Sequence, residues 1–188
     1  MVEKMMASGP AARREPLDGR MAGAAGVALA PAKPAFRTSL RVRAEDVAAV
    51  SKALGLDLPS EPKSSVVTTA GRRALWLGPD EWLLIDEQAD PMKDLAKVKA
   101  LHSAVDVSHR NTAIKLTGQG ARATLEAGCP QNLGDAVFPV GACTRTVLGK
   151  IEVVIVRTGE DAWRVECWRS FSDYAFTFLA DAAGDCLA

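Results

Sequence analysis

Asp106-Val107-Ser108-His109-Arg110 brings an acid, a hydroxyl and an imidazole, the side-chain types of a hydrolase triad, into one short run. Nucleophilic catalysis needs these groups to converge on a single substrate atom, and neighbours on an extended chain point to opposite faces. The chain has no G-x-S-x-G elbow to present a serine from a strand-to-helix turn. The run therefore reads as structural, with Asp106 and Ser108 satisfying backbone donors at a crossover and His109 and Arg110 facing a partner. A second candidate is Gly118-Gln-Gly120-Ala-Arg-Ala123, which satisfies G-x-G-x-x-A, the spacing that lets a dinucleotide pyrophosphate approach a helix N-terminus. The strand before it, Ile114-Lys115-Leu116-Thr117, alternates, whereas a nucleotide-binding first strand is apolar on both faces. The turn is therefore read as an ordinary strand-to-helix connection.

Four cysteines, Cys129, Cys143, Cys167 and Cys186, are irregularly spaced and lack a C-x-x-C pair, and only His102 and His109 could supplement them. Neither a zinc cage nor a disulfide framework is indicated, and reduced thiols in the cytoplasm are the simplest reading. Lys+Arg and Asp+Glu are 23 each, so no net field holds a nucleic acid or an anionic membrane. The stretch 21–30 superficially resembles a signal-peptide core, but it is rich in Gly and Ala and has acidic residues upstream; no apolar run has the length of a membrane span.

Residues 1–35 are dense in Ala, Gly, Pro and Arg and read as an extended or disordered arm outside the core. On this reading the arm orders along a partner, with Arg13, Arg14 and Arg20 pairing with that partner's acidic groups. Residues 36–188 read as one α+β domain. Alternation predicts a strand at 38–42, helical spacing a helix at 47–54, then strands at 65–69, 74–77 and 82–86 and a helix over 91–101. The order then repeats: strand 112–116, helix 119–127, strands 144–148, 151–156 and 163–167, and a helix over 170–183. That last helix is expected to open with a Ser170/Asp173 capping box and to bury Phe171, Tyr174, Ala175, Phe178, Leu179 and Ala182.

Two similar β-α-β-β-β-α halves, 38–101 and 112–183, related by a pseudo-two-fold are thus expected. Both halves carry G-x-D-x-W before a strand, ending in Trp82 and Trp163. Matching Leu40 to Ile114 and Trp82 to Trp163 gives offsets of 74 and 81, so about seven extra residues fall in the second half, placed between Cys129 and Gly141. Pro130 and Pro139 rigidify that insertion, a candidate partner-facing loop whose removal over 131–137 would leave the fold cooperative but weaken assembly. Arg145, Arg157, Arg164 and Arg169, with Trp163, Trp168, Phe171 and Tyr174, enrich the last quarter in residue types common at interfaces.

Asp106-Val-Ser-His109, the following strand, the G-x-x-A-x-x-x-L helix start and the G-x-x-x-R-T strand resemble the folate-binding domain of the glycine-cleavage T protein. More specifically, Leu77-Gly-Pro-Asp-Glu-Trp82, Asp106-Val-Ser-His-Arg110, Gly128-Cys-Pro130, Phe138-Pro-Val-Gly141, Cys143-Thr-Arg-Thr146 and Arg169-Ser-Phe171, in this order, resemble the gamma-subunit family of heterotetrameric sarcosine oxidase. The resemblance implies a folate-binding aminomethyltransferase-like fold and an accessory, non-catalytic role beside alpha, beta and delta subunits. It also implies a complex that demethylates sarcosine to glycine, yielding hydrogen peroxide and 5,10-methylenetetrahydrofolate. FAD, FMN, NAD, zinc and tetrahydrofolate are expected on the other subunits and none on this one. Asp106, Ser108, His109, Arg110, Cys129, Pro130, Phe138, Pro139, Arg145 and Arg169 are the candidate interface or structural positions. Where the T protein has adjacent acids on a strand, this chain has only Glu152. A related N-methyl amino acid dehydrogenase, for example of N-methylglutamate, and a stand-alone folate-dependent one-carbon protein are the alternatives.

Overall fold

Period-two alternation sorts the strand residues into layers. In β6 (Glu81–Asp86), Trp82 and Leu84 enter one apolar cluster while Leu83 and Ile85 enter another, so both faces of this strand are covered. The computed structural model describes residues 14–24 and 26–185. Its first sheet has the order β4-β5-β6-β3-β7, from β3 (Phe36–Val42), β4 (Ser65–Val67), β5 (Arg73–Gly78), β6 and β7 (His102–Asp106). The second has the order β1-β2-β8-β11-β10-β9, from β1 (Ala22–Ala24), β2 (Val27–Pro31), β8 (Asn111–Thr117), β9 (Cys143–Leu148), β10 (Ile151–Gly159) and β11 (Ala162–Trp168). Every pairing is antiparallel.

Helices α1 (Val47–Leu54) and α2 (Met92–Leu95) cover the outer face of the first sheet, burying Leu40, Val42, Val50, Leu54, Trp82 and Leu95 together. Helices α3 (Ala121–Glu126) and α4 (Ser172–Asp185) cover the second, over Ile114, Leu116, Trp163, Val165, Phe176 and Leu179. The inner faces meet each other through Leu75, Leu83 and Ile85 against Cys143, Val154 and Val156. The result is a four-layer α/β/β/α sandwich. α1 stops where Gly55 takes φ 68 and its N–H reaches the carbonyl of Ser51.

Three sequence expectations need correction. The described residues of 14–35 do not stand outside the core as an arm: Leu17, Val27 and Leu29 are buried in the second sheet's cluster, and β2 pairs with β8 from Ala28–Thr117 to Pro31–Ile114. Val27 and Leu29 alternate inward between alanines, a pattern that Ala/Gly-rich composition obscures. Arg20 pairs with Asp173 of α4 at 2.6 Å and lies over the Phe176 ring, so it is engaged within the chain. The expectation for residues 1–13, including Arg13, lies outside the described residues. The helix over 91–101 is only α2, and after it the chain turns and pairs with the free edge of β3 over 102–106 as β7. Finally, a tight turn at Arg169–Phe171 delays α4 to Ser172 and rotates its buried face to Ser172, Ala175, Phe176, Leu179, Ala182 and Ala183. Phe171 and Tyr174 are left exposed, and Asp173 serves Arg20 rather than a capping box.

Candidate functional site: the strand-linking turn and the inter-sheet cleft

The Asp106-Val-Ser-His-Arg110 run is a turn between β7 and β8 that ties strands together. The Asp106 carboxylate accepts from the Ser108 hydroxyl at 2.5 Å and from the Ser108 N–H at 2.8 Å. Ser108 Oγ in turn accepts from the Arg37 N–H at 2.9 Å, and the Val107 N–H donates to the Arg37 carbonyl at 2.9 Å. Arg110 offers its carbonyl to the Arg169 N–H at 2.7 Å, which binds the end of β11. The Ser108 hydroxyl and N–H hold the Asp106 carboxyl below the usual carboxylate range, helped by the nearby His109. The Ser108 hydroxyl thus bridges the Asp106 carboxylate and the Arg37 N–H and clasps the turn to β3. Asp106, Ser108 and His109 edge a cavity of about 420 Å³ shared with Glu15, Phe36 and Arg37.

Outside that turn, Trp168 and Phe171 stack at 5.8 Å with the Arg110 guanidinium 5.1 Å from the indole, and all three are exposed. Arg169 donates to the Arg14 carbonyl at 2.8 Å. Arg145 makes a two-pronged pair with Glu81 at 2.9 and 3.0 Å, joining β9 of one sheet to β6 of the other.

The 129–141 segment divides by side-chain type. Pro130 and Pro139 are exposed, whereas Cys129, Leu133 and Phe138 are buried in the second sheet's core. Phe138 stacks on Trp163 at 5.6 Å. Arg157 sews the segment to β10, donating to Asp135 at 2.5 Å, the Phe138 carbonyl at 3.0 Å and the Glu160 carbonyl at 2.7 Å. The expectation that 131–137 is dispensable to the fold is therefore corrected: Leu133 is fully buried, and its loss opens a cavity.

The glycine-rich turn serves the chain's own N-terminal hairpin. Gly118 has φ +113, and a Cβ there would overlap the Gly26 carbonyl oxygen, which accepts from the Gly120 N–H at 2.9 Å. The glycines that would admit a pyrophosphate instead admit the turn between β1 and β2.

Arg37, Arg73, Glu166 and Arg164 form the charged part of the inter-sheet layer, and sequence reasoning singled out only Arg164, for an interface. Arg37 of β3 donates to Glu166 of β11 at 2.6 Å, a pair with side chains 4% and 1% exposed. Arg164 donates to the same carboxylate at 2.7 Å and to Glu87 at 3.2 Å. Arg157 and Arg164 are thus spent inside the domain. The signal for this network is faint: charges alternating with Trp163, Val165 and Cys167 look like a solvated strand face unless a second sheet is known to cover it. Glu152 is exposed on β10.

The fold resembles part of the glycine cleavage system aminomethyltransferase T from Bartonella henselae, which superposes with a TM-score of 0.63 at 16% identity over 82% of this chain and 45% of that one. The sarcosine oxidase gamma subunit family profile matches residues 42–185, and the chain belongs to that family. The sarcosine oxidase subunit gamma of Corynebacterium sp. strain U-96 is 32% identical over 158 residues, spanning 80% of this chain and 77% of the relative. The same subunit of an Arthrobacter species is 33% identical over 156 residues, 79% of this chain and 76% of that one. A chain of the heterotetrameric sarcosine oxidase from Corynebacterium sp. U-96, solved with pyrrole 2-carboxylate, superposes with a TM-score of 0.84 at 28% identity, covering 94% of this chain and 97% of that one.

Proposed function

We propose that this chain is the gamma subunit of a heterotetrameric sarcosine oxidase, a non-catalytic component that buttresses a catalytic neighbour while sarcosine is demethylated to glycine. The near end-to-end match to a chain of the Corynebacterium complex carries the reading. In this assignment the alpha, beta and delta subunits hold FAD, FMN, NAD, zinc and the tetrahydrofolate that takes the methyl carbon, and the assembly works in the cytoplasm. The exposed stack of Arg110, Trp168 and Phe171 supplies the arginine and aromatic types that anchor interfaces, and it is proposed as the seat of the large subunit. Co-expression with the other three subunits should give one co-eluting complex with sarcosine-dependent peroxide production, while the purified chain alone should show no such activity. Trp168→Ala should weaken assembly without lowering the stability of the free chain. A complex that assembles and turns over at full rate without this chain refutes the reading.

The two halves are further proposed to be copies related by a pseudo-two-fold. Strand orders β4-β5-β6-β3-β7 and β9-β10-β11-β8-β2 correspond position by position. The bulges between Trp76 and Gly78 and between Arg157 and Gly159 fall at the same offset as Trp82 and Trp163. Because Trp82 pairs with Leu40 and Trp163 with Leu116, the matching first-strand residue is then Leu116 rather than Ile114, a two-residue slip that alternation cannot reveal. Superposing 38–101 on 112–183 tests this: the tryptophans must coincide.

A further inference from the structure

One end of the inter-sheet layer carries more positive charge than the described residues neutralise. Arg164 is 6% exposed, and although its Nε and Nη1 reach Glu166 and Glu87, its Nη2 is buried without a hydrogen-bond partner. Arg73 of β5 edges the same cavity, and no carboxylate among the described residues pairs with it. Burial first, and the field of Arg164 second, lower its pKa from the ordinary value, so its charge is held at a cost. Lys115, the cross-strand neighbour of Arg164, stands exposed at the rim. Glu87 is the one acid among the described lining residues, and Arg164 engages it. Thr117 and Thr158 add hydroxyls to a cavity of about 340 Å³, within the size range of pockets for small ligands.

We propose that this cavity binds a small-molecule oxyanion, a carboxylate or a phosphate, which accepts from Arg73 and Lys115 and lies in the field of Arg164. Guanidinium groups suit such ligands because their planar donors match the oxygen spacing of both anions. The site goes beyond the accessory role proposed above, since a buttress alone has no use for an unpaired arginine in a cleft.

Titration calorimetry of the full chain with inorganic phosphate, and separately with acetate, at ionic strength fixed with chloride, tests the proposal. Saturable binding of one anion per chain is expected. Arg73→Gln and Lys115→Gln should each weaken it about tenfold, while Arg43→Gln, an exposed residue beside Glu45 outside the cavity, leaves it unchanged. Lys115 is exposed, so its variant keeps the fold should Arg73→Gln fail to do so. No saturable heat with either anion, or equal affinities in Lys115→Gln and Arg43→Gln, overturns the site. Binding should persist in the assembled complex; binding to the free chain that vanishes on assembly would mean a partner carboxylate fills the cleft, and overturns the small-molecule assignment.

Discussion

Glu166→Gln removes the one negative charge that two buried arginines share. In the native layer Glu166 accepts from Arg37 Nε at 2.6 Å and from Arg164 Nε at 2.7 Å, with the three side chains between 1% and 7% exposed. The amide keeps the volume and one acceptor oxygen but leaves Arg37 with no carboxylate. Removing one partner of a buried pair costs about 3–5 kcal/mol, because the remaining charge stays desolvated without compensation. Set against a typical domain stability of about 5–15 kcal/mol, that loss is large. With a urea slope of about 2 kcal/mol/M, it lowers the midpoint by about 1.5–2.5 M, read by tryptophan fluorescence and circular dichroism. Adding Arg37→Met to Glu166→Met should recover part of the loss, since Arg37 is then no longer an orphaned charge, while Arg164 keeps Glu87 at 3.2 Å. A midpoint shift below about 0.5 M for Glu166→Gln, or strictly additive effects in the Arg37/Glu166 cycle, would refute the claim that this buried pair between the sheets stabilises the fold.

Gly118→Ala should cost about 2 kcal/mol or more, through the positive φ and the overlap with the Gly26 carbonyl, and should expose 22–31 to amide exchange; unchanged protection there would overturn the hairpin-docking role. Asp86 is pulled two ways: burial raises its pKa, but the Ala89 and Gln88 N–H groups and Arg72 outweigh it and leave the carboxyl below its ordinary value. A depressed folded pKa contributes stability that is complete above the unfolded value of about 3.9 and is lost as pH falls through the folded value. The chain should therefore lose stability on acidification below about pH 4, and Asp86→Asn should be less stable at neutral pH and show a shallower acid slope; parallel slopes would count against the pairing. Cys143 and Cys167 are pushed up to about 12, chiefly by burial, so iodoacetamide at pH 8 should leave both unmodified in the native chain, as peptide mass spectrometry would show; rapid labelling of either would contradict their burial.

What the sequence disclosed follows from how local each signal is. Strands β8, β10 and β11 and helix α1 were legible because alternation and helical spacing survive in a dozen residues, and Gly55 marks its own helix end. The clasp at Asp106 and Ser108 was legible too, because its bonds join residues two apart, although its partner Arg37 was not. The N-terminal hairpin escaped because its evidence lies in β8 and in Gly118 and Gly120, which look like a nucleotide turn until the hairpin that needs them is seen. The charged layer escaped for the opposite reason. Arg37, Arg164 and Glu166 carry the pattern of a wet face, and only sheet-on-sheet packing turns it dry.

The strand that completes the second sheet comes from the wrong end of the chain for early folding. Leu29 of β2 pairs with Leu116 of β8, and Arg20 waits for Asp173, 153 residues further on. During synthesis the hairpin can neither find its edge until β8 has emerged nor be locked until α4 has followed, so the second sheet closes last. Chains with such distant pairings pay loop-closure entropy before any contact rewards it and fold slowly. Until closure, the outer edge of β8 is an unpaired strand beside apolar Ile114 and Leu116, a template on which a neighbouring nascent chain can add its own strand. In a cell, yield of this protein should thus depend on translation pace and on chaperone capacity near 37 °C more than on the equilibrium stability of the finished sandwich.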